Sequence, residues 1–155
     1  MRLREVLPDR KRFKVCVNCG YVDFPGPKLV AACLVLDAGR VLLLRRGLMP
    51  RIGKWTFPGG YVELGETPAH GAIRETIEEV GMRVMLGELI GLFTDPADPI
   101  AAVAVYLAQP GAEAPGLSDE ATEVRYFAPD EIPWADLAFP STEAALRTWL
   151  TSRSI

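Results

Sequence analysis

The chain has 155 residues, enough for one ordinary domain with its own core. Apolar residues make up 49% and charged residues 24%, the balance of a soluble globular protein, and a net charge of −3 argues against a nucleic-acid binder held by bulk charge. No apolar run is long enough to span a bilayer, the first residues lack a signal-like apolar stretch and three cysteines are too few for a disulfide framework, so a cytoplasmic protein with neither membrane nor nucleic acid as partner is expected.

Residues 1–27 have a character of their own and read as an N-terminal appendage. They hold the short basic stretch Asp9-Arg10-Lys11-Arg12, then Cys16-Val17-Asn18-Cys19-Gly20, then Phe24-Pro25-Gly26-Pro27. The main domain is expected over 28–155. Leu29 to Leu36 is a continuous apolar run, the mark of a strand buried on both faces. Asp37-Ala38-Gly39 reads as a turn and Val41 to Leu44 as the hairpin partner. Arg45 to Lys54 reads as a loop, Trp55-Thr56-Phe57 as a short extended piece ended by Pro58-Gly59-Gly60.

Thr67-Pro68 opens a helix, with Thr as cap and Pro at the first helical position. Ala69, Ala72, Ile73, Thr76, Ile77 and Val80 repeat at helical spacing, which predicts a buried face, and Gly81 closes the helix. Strands are expected over Arg83 to Thr94, with bends at Gly87 and Gly91, over Ile100 to Ala108 and over Glu123 to Ala128. A loop over Gln109 to Gly116, a turn at Pro129 to Ile132 and a last helix over Ser141 to Thr151 complete the reading. Strands mixed with two helices imply an α/β (α+β) fold with a mixed sheet flanked by helices.

The central helix carries the informative chemistry. Glu75, Glu78 and Glu79 stand at i, i+3 and i+4, so they are neighbours on the helix surface. Three like charges repel, and near a helix C-terminus they also oppose the macrodipole. A divalent cation offsets both, and carboxylate oxygens suit Mg²⁺ or Mn²⁺ rather than zinc. A solvated acidic face is the plainer reading of the same run. Arg74 precedes the cluster and can hold a glutamate in place, while Gly59 and Gly60 allow a close backbone approach.

Gly60, Glu66, Arg74-Glu75, Glu78-Glu79 and Gly81-Met82 together resemble the Nudix box, the signature of the Nudix hydrolases. Thr76 departs from it, standing where an aliphatic residue is usual, but its methyl can still pack. The resemblance runs from about Arg12 to the last helix and implies a Nudix-type α/β/α sandwich. By that resemblance Glu75, Glu78, Glu79 and the Gly59 carbonyl hold Mg²⁺ or Mn²⁺, with one glutamate helping to deprotonate water. Glu66 steadies the loop and helix, and Arg74 orients the glutamates. A further glutamate from outside the box is Glu123 or Glu120, for both of which a surface carboxylate is the alternative. The reaction implied is hydrolysis of a nucleoside diphosphate linked to a second group, in a protein that is often a homodimer.

Cations for the substrate phosphates are sought at Arg45, Arg46, Arg51 and Lys54 beside the box, where a solvated loop is the other reading for at least two. Trp55, Phe57 and Tyr61 are read as packing rather than base stacking. The segment from Arg12 to Ala32 resembles the second half of a zinc ribbon that precedes some Nudix domains. Cys16 and Cys19 would then be zinc ligands, but the earlier Cys-X-X-Cys of those ribbons is missing, and a knuckle-shaped turn with free thiols is the alternative. Cys33 reads as a core residue and His70 as an exposed helical one. The half-ribbon, the tail Asp130-Glu131-Ile132-Pro133 with Leu137-Ala138-Phe139, and Pro96 resemble ADP-ribose or FAD pyrophosphatases, implying an adenine nucleotide substrate and AMP as product. Nucleoside triphosphates, and a nucleotide sensor without activity, are the rival readings.

Overall fold

A computed structural model describes residues 1–6, 11–95 and 98–152. Pro96, and Asp9 and Arg10 of the basic stretch, lie outside the described residues. The architecture follows from strand periodicity. Strand β4 (Lys28–Asp37) and strand β5 (Arg40–Arg46) form a hairpin whose two-residue loop, Ala38-Gly39, has positive φ at both positions (48° and 76°). That is the backbone twist which a right-handed hairpin requires. Along both strands every second residue faces the same way. Ala32, Leu34, Val41 and Leu43 enter one apolar cluster, and Ala31, Cys33, Val35, Leu42 and Leu44 enter another on the opposite face. Two buried faces need two covering layers.

The helices supply them. Helix α1 (Pro68–Val80) covers the second face through Ala72 and Val80, and helix α2 (Pro140–Ser152) covers the first through Ala145, Leu146 and Trp149. Each fully buried Leu or Val contributes about 1.5–3 kcal/mol of transfer free energy. Between the helices lies a mixed sheet of order β10-β5-β4-β9-β8, where β8 is Val84–Asp95, β9 is Asp98–Pro110 and β10 is Ala121–Phe127. Strand β4 runs parallel to β9 and antiparallel to β5, while β8 and β9 are antiparallel. Two short strands, β6 (Trp55–Thr56) and β7 (Gly59–Tyr61), pair with β5 and β4. This is the α/β/α sandwich expected. The register of β8 against β9 shifts between Leu86 and Leu89 and between Leu89 and Gly91, where bends at Gly87 and Gly91 were predicted.

Some expectations change. The strands are longer than read: β5 continues through Arg45 and Arg46, and β9 through Gln109 and Pro110, because main-chain pairing extends past the apolar core. The buried face of α1 is rotated slightly: Ile77 is exposed, and Glu79 is buried beside Thr76 and Val80. Thr76 is fully buried and bonds the Ala72 carbonyl at 2.7 Å, so its hydroxyl is satisfied within the helix. Residues 1–27 contain strands β1 (Arg2–Val6), β2 (Lys11–Val15) and β3 (Val22–Asp23), a three-stranded antiparallel sheet of its own. Among the described residues no helix is long and apolar enough to cross a membrane.

Candidate active site

Helix α1 is placed by its ends. Thr67 accepts the His70 amide at 3.2 Å, Pro68 occupies the first turn, and Gly81 (φ 65°) returns its N–H to the Ile77 carbonyl at 2.9 Å. In front of the helix, Gly59 and Gly60 pair with Ala32 and Ala31 of β4. A Cβ on Gly59 would lie 2.5 Å from the Ala32 Cβ, and one on Gly60 would lie 2.4 Å from the Glu75 carboxyl carbon. Only glycine permits the strand, the short β7 and the helix carboxylates to approach so closely.

Arg74 spends all five guanidinium N–H donors here. Its Nε and Nη2 grip the two Glu66 oxygens at 2.9 and 3.1 Å, Nη1 reaches Glu75 at 2.7 Å and Glu78 at 3.1 Å, and Nη2 also bonds the Tyr61 carbonyl at 3.0 Å. Glu66 further accepts the Glu63 amide at 3.0 Å. The Arg74 guanidinium, helped by that amide, holds the Glu66 carboxyl below its ordinary range. Burial raises the Glu75 carboxyl against the pull of Arg74. Glu79 is 7% exposed and accepts the Gly59 amide at 2.8 Å. Burial pushes its carboxyl up to about 7; the Gly59 bond opposes this, and the negative charges of Glu75 and Glu120 add to it.

Arg74, Glu75, Glu78 and Glu79 border one cavity of about 700 Å³. Its acidic side is formed by Glu75, Glu78 and Glu79 with Gly59, Gly60 and Glu120, the last from the turn before β10. Of the four proposed phosphate-binding cations, only Arg46 lines it; its Nε bonds the Pro50 carbonyl at 2.8 Å and its guanidinium lies 5.1 Å from the Phe139 ring centre. Arg45 instead bonds the Gly53 carbonyl and pairs with Glu123 at 3.7 Å, because successive residues of β5 face opposite ways. Lys54 pairs with Asp136 at 2.8 Å, and Arg51 is exposed in a turn with φ 65°. Glu123, on the surface of β10 beside Arg45, does not line the cavity, whereas Glu120, the other candidate, does.

Among the described residues no three His, Cys, Asp or Glu side chains are arranged to hold a metal ion. Arg74 is the charge that stands between Glu75 and Glu78, a role the sequence reading reserved for a metal. The donor chemistry nevertheless fits a hard divalent cation: only carboxylate oxygens converge, over a glycine cradle that a Cβ at Gly60 would fill. An ion would compete with Arg74 for Glu75 and Glu78. Zinc at the N-terminus fits less well. Cys16 and Cys19 sit in a turn closed by Gly20 (φ 75°), with Gly20 N–H on the Cys16 carbonyl at 3.1 Å, and are two free thiols without a third ligand among the described residues. Cys33 is buried against the Ala72 carbonyl, and His70 is exposed.

Sequence reasoning missed the far side of the cavity. Phe93 on β8, Phe139 before α2, and the buried Thr56–Thr142 hydroxyl pair (2.9 Å) all line it. Periodicity marks such residues only as core, and nothing local distinguishes them from it. Trp55, by contrast, packs edge-on against Phe127 in the core, 4.9 Å between ring centres.

Residues 26–150 match the NUDIX domain family. A MutT-like protein of Streptomyces ambofaciens is 39% identical over 103 residues, 66% of this chain and 64% of that protein. Diphosphoinositol polyphosphate phosphohydrolase 3-alpha of Homo sapiens is 39% identical over 88 residues, 55% of this chain and 52% of the relative. An ADP-ribose pyrophosphatase of Methanocaldococcus jannaschii is 28% identical over 111 residues, 69% and 65% respectively. The chain thus spans less than two thirds of each of these relatives. A NUDIX hydrolase structure from Nitrosomonas europaea superposes with TM-score 0.90 at 32% identity, covering 99% of this chain and 86% of that one.

Proposed function

Because this chain belongs to the NUDIX family of pyrophosphate-cleaving hydrolases, we propose that it cuts the diphosphate bridge of an adenine-containing nucleoside diphosphate, ADP-ribose or FAD, and releases AMP. The observation that carries the reading is the convergence of Glu75, Glu78, Glu79 and Glu120 with Arg46 around one cavity. Glu75, Glu78, Glu79 and the Gly59 carbonyl would hold Mg²⁺ or Mn²⁺, which would supply charge neutralisation and an activated water. Arg46 steadies the phosphate beyond the carboxylates. Arg74 and Glu66 are positioning residues that set the carboxylates, and Glu120 adds negative charge near Glu75 and Glu79.

Charge supports this substrate class over a polyphosphate. Glu63, Glu75, Glu78, Glu79, Asp95 and Glu120 line the cavity, against Arg46 and Arg74, and Arg74 is already surrounded by carboxylates. Two phosphates escorted by a divalent cation suit such a field; a ring bearing many phosphates, as the human relative's name indicates for that protein, does not. The same reading places the hydrolase domain in residues 28–155, with residues 1–27 an appendage, in a cytoplasmic homodimer. The test is a hydrolysis panel with Mg²⁺ or Mn²⁺: AMP release from ADP-ribose, FAD and NADH, nucleoside monophosphate release from oxidised dGTP, and phosphate release from a diphosphoinositol polyphosphate. Cleavage of the triphosphate or the inositol compound alone would overturn the substrate choice.

A further inference from the structure

We propose that Lys28 is a substrate-binding cation at the mouth of the cavity, held over the Tyr61 ring to take the second phosphate of the diphosphate bridge; this rests on the nucleoside diphosphate reading above. The register of β4 puts it there. Val30 and Ala32 line the cavity, and alternation along the strand gives Lys28 the same face, one step further out. Its neighbour across the parallel ladder, Ala101, lines the cavity too. On the other side of β4, Val30 pairs with Tyr61, another lining residue. The Lys28 Nζ lies 5.2 Å from the centre of the Tyr61 ring.

The aromatic platform leaves the charge free. Among the described residues no carboxylate pairs with Lys28, whereas Arg45, Lys54 and Arg74 are each engaged by one. An aromatic face attracts an ammonium without neutralising it. The charge therefore stays available to an anion, on a side chain that is already ordered. Tyr61 is itself fixed: its carbonyl accepts Arg74 Nη2 at 3.0 Å, and its strand β7 pairs with β4. The guanidinium that sets Glu75 thus also sets the backbone of the residue under Lys28. Arg46 approaches from elsewhere. Strand β6 pairs with β5 and β7 with β4, so the segment carrying Gly59 lies between the strand of Arg46 and that of Lys28. Two cations on either side of that segment suit two linked phosphates rather than one.

Calorimetric titration with imidodiphosphate, whose P–N–P bridge resists hydrolysis, in the presence of Mg²⁺ tests the contact without turnover. Lys28→Met keeps the length of the side chain and removes its charge. It is expected to weaken binding about tenfold, to flatten the dependence of affinity on salt, and to leave the melting temperature unchanged. Lys28→Arg, which restores a cation able to lie on the ring, should bind within about twofold of wild type. In AMP release from ADP-ribose, Lys28→Met should raise KM by about tenfold with kcat nearly unchanged. Wild-type affinity in Lys28→Met, an equal loss in Lys28→Arg, or no binding of imidodiphosphate by the wild type would overturn the contact. Hydrolysis of ADP-ribose or FAD with KM unmoved in Lys28→Met would overturn it and leave the proposed function standing. Loss of imidodiphosphate affinity in that variant, in a protein that releases AMP from no substrate, would do the reverse.

Discussion

Glu78 and Glu79 are adjacent in sequence and opposite in environment. The Glu78 side chain is 57% exposed and touches Arg74, whereas Glu79 is 7% exposed and bonded to the Gly59 amide. Glu78→Gln removes a charge that stability hardly uses, since exposed ion pairs are worth about 0–1 kcal/mol. The expected outcome is a melting temperature within about 2 °C of wild type and a fall in kcat of about 100-fold or more, read by AMP release with Mg²⁺. Hydrolysis at the wild-type rate would remove Glu78 from the metal assignment. Glu79 governs a pH effect. The unfolded chain releases this proton near 4.5 and the folded protein near 7. In between, the folded state holds more protons, so its stability falls as pH rises. Thermal melts in chelator should show the decline between about pH 5 and about pH 7.5, and Glu79→Gln should flatten it. Mg²⁺ needs the ionised carboxylate, so its stabilisation should be larger at about pH 8 than at about pH 6.

At the scale of the element, α1 and β7 work as one unit because two glycines let them touch. Gly60→Ala places a methyl against the Glu75 carboxylate at a separation no real Cβ shows. The carboxylate must swing away, which disturbs both its bond to Arg74 and any bound cation. We expect a loss of activity of about 100-fold, with destabilisation of about 1–3 kcal/mol, measured by kcat and by urea unfolding. Added Mg²⁺ should raise the melting temperature of this variant less than that of the wild type. Gly81 is a simpler case. Its φ of 65° closes the helix, so Gly81→Ala should cost about 1 kcal/mol and leave kcat unchanged. The starting material for both predictions was visible in sequence: the Pro58-Gly59-Gly60 break and the terminal Gly81 are turn chemistry. What was not visible was the partner each glycine makes room for.

At the scale of the whole molecule, the sheet of residues 2–23 stands apart from the seven-stranded sheet. It has its own ring contact, Phe13 against Phe24 at 4.9 Å, while the two apolar clusters that hold the sandwich draw, among the described residues, on residues 31–150. Residues 26–155 expressed alone should therefore melt within about 5 °C of the full chain and keep AMP release. A loss of the cooperative transition would show that the N-terminal sheet completes the core.

Local signals reached far into this protein. The Thr67-Pro68 start and Gly81 stop of α1, the β4–β5 hairpin and the glutamate spacing all depend on residues a few positions apart, where backbone preference and side-chain periodicity act directly. They specify the helix, the strands and the carboxylate-bearing surface. They do not specify which of Arg45, Arg46, Arg51 and Lys54 enters the cavity, nor that Glu120 rather than Glu123 faces it, nor that Arg74 bridges Glu75 and Glu78. Those choices follow from the parallel pairing of β4 with β9 and the seating of α2 on β8, which bring together segments up to about a hundred residues apart. One step along a strand reverses a side chain's direction, so Arg45 and Arg46 part company only once β5 is locked between its neighbours.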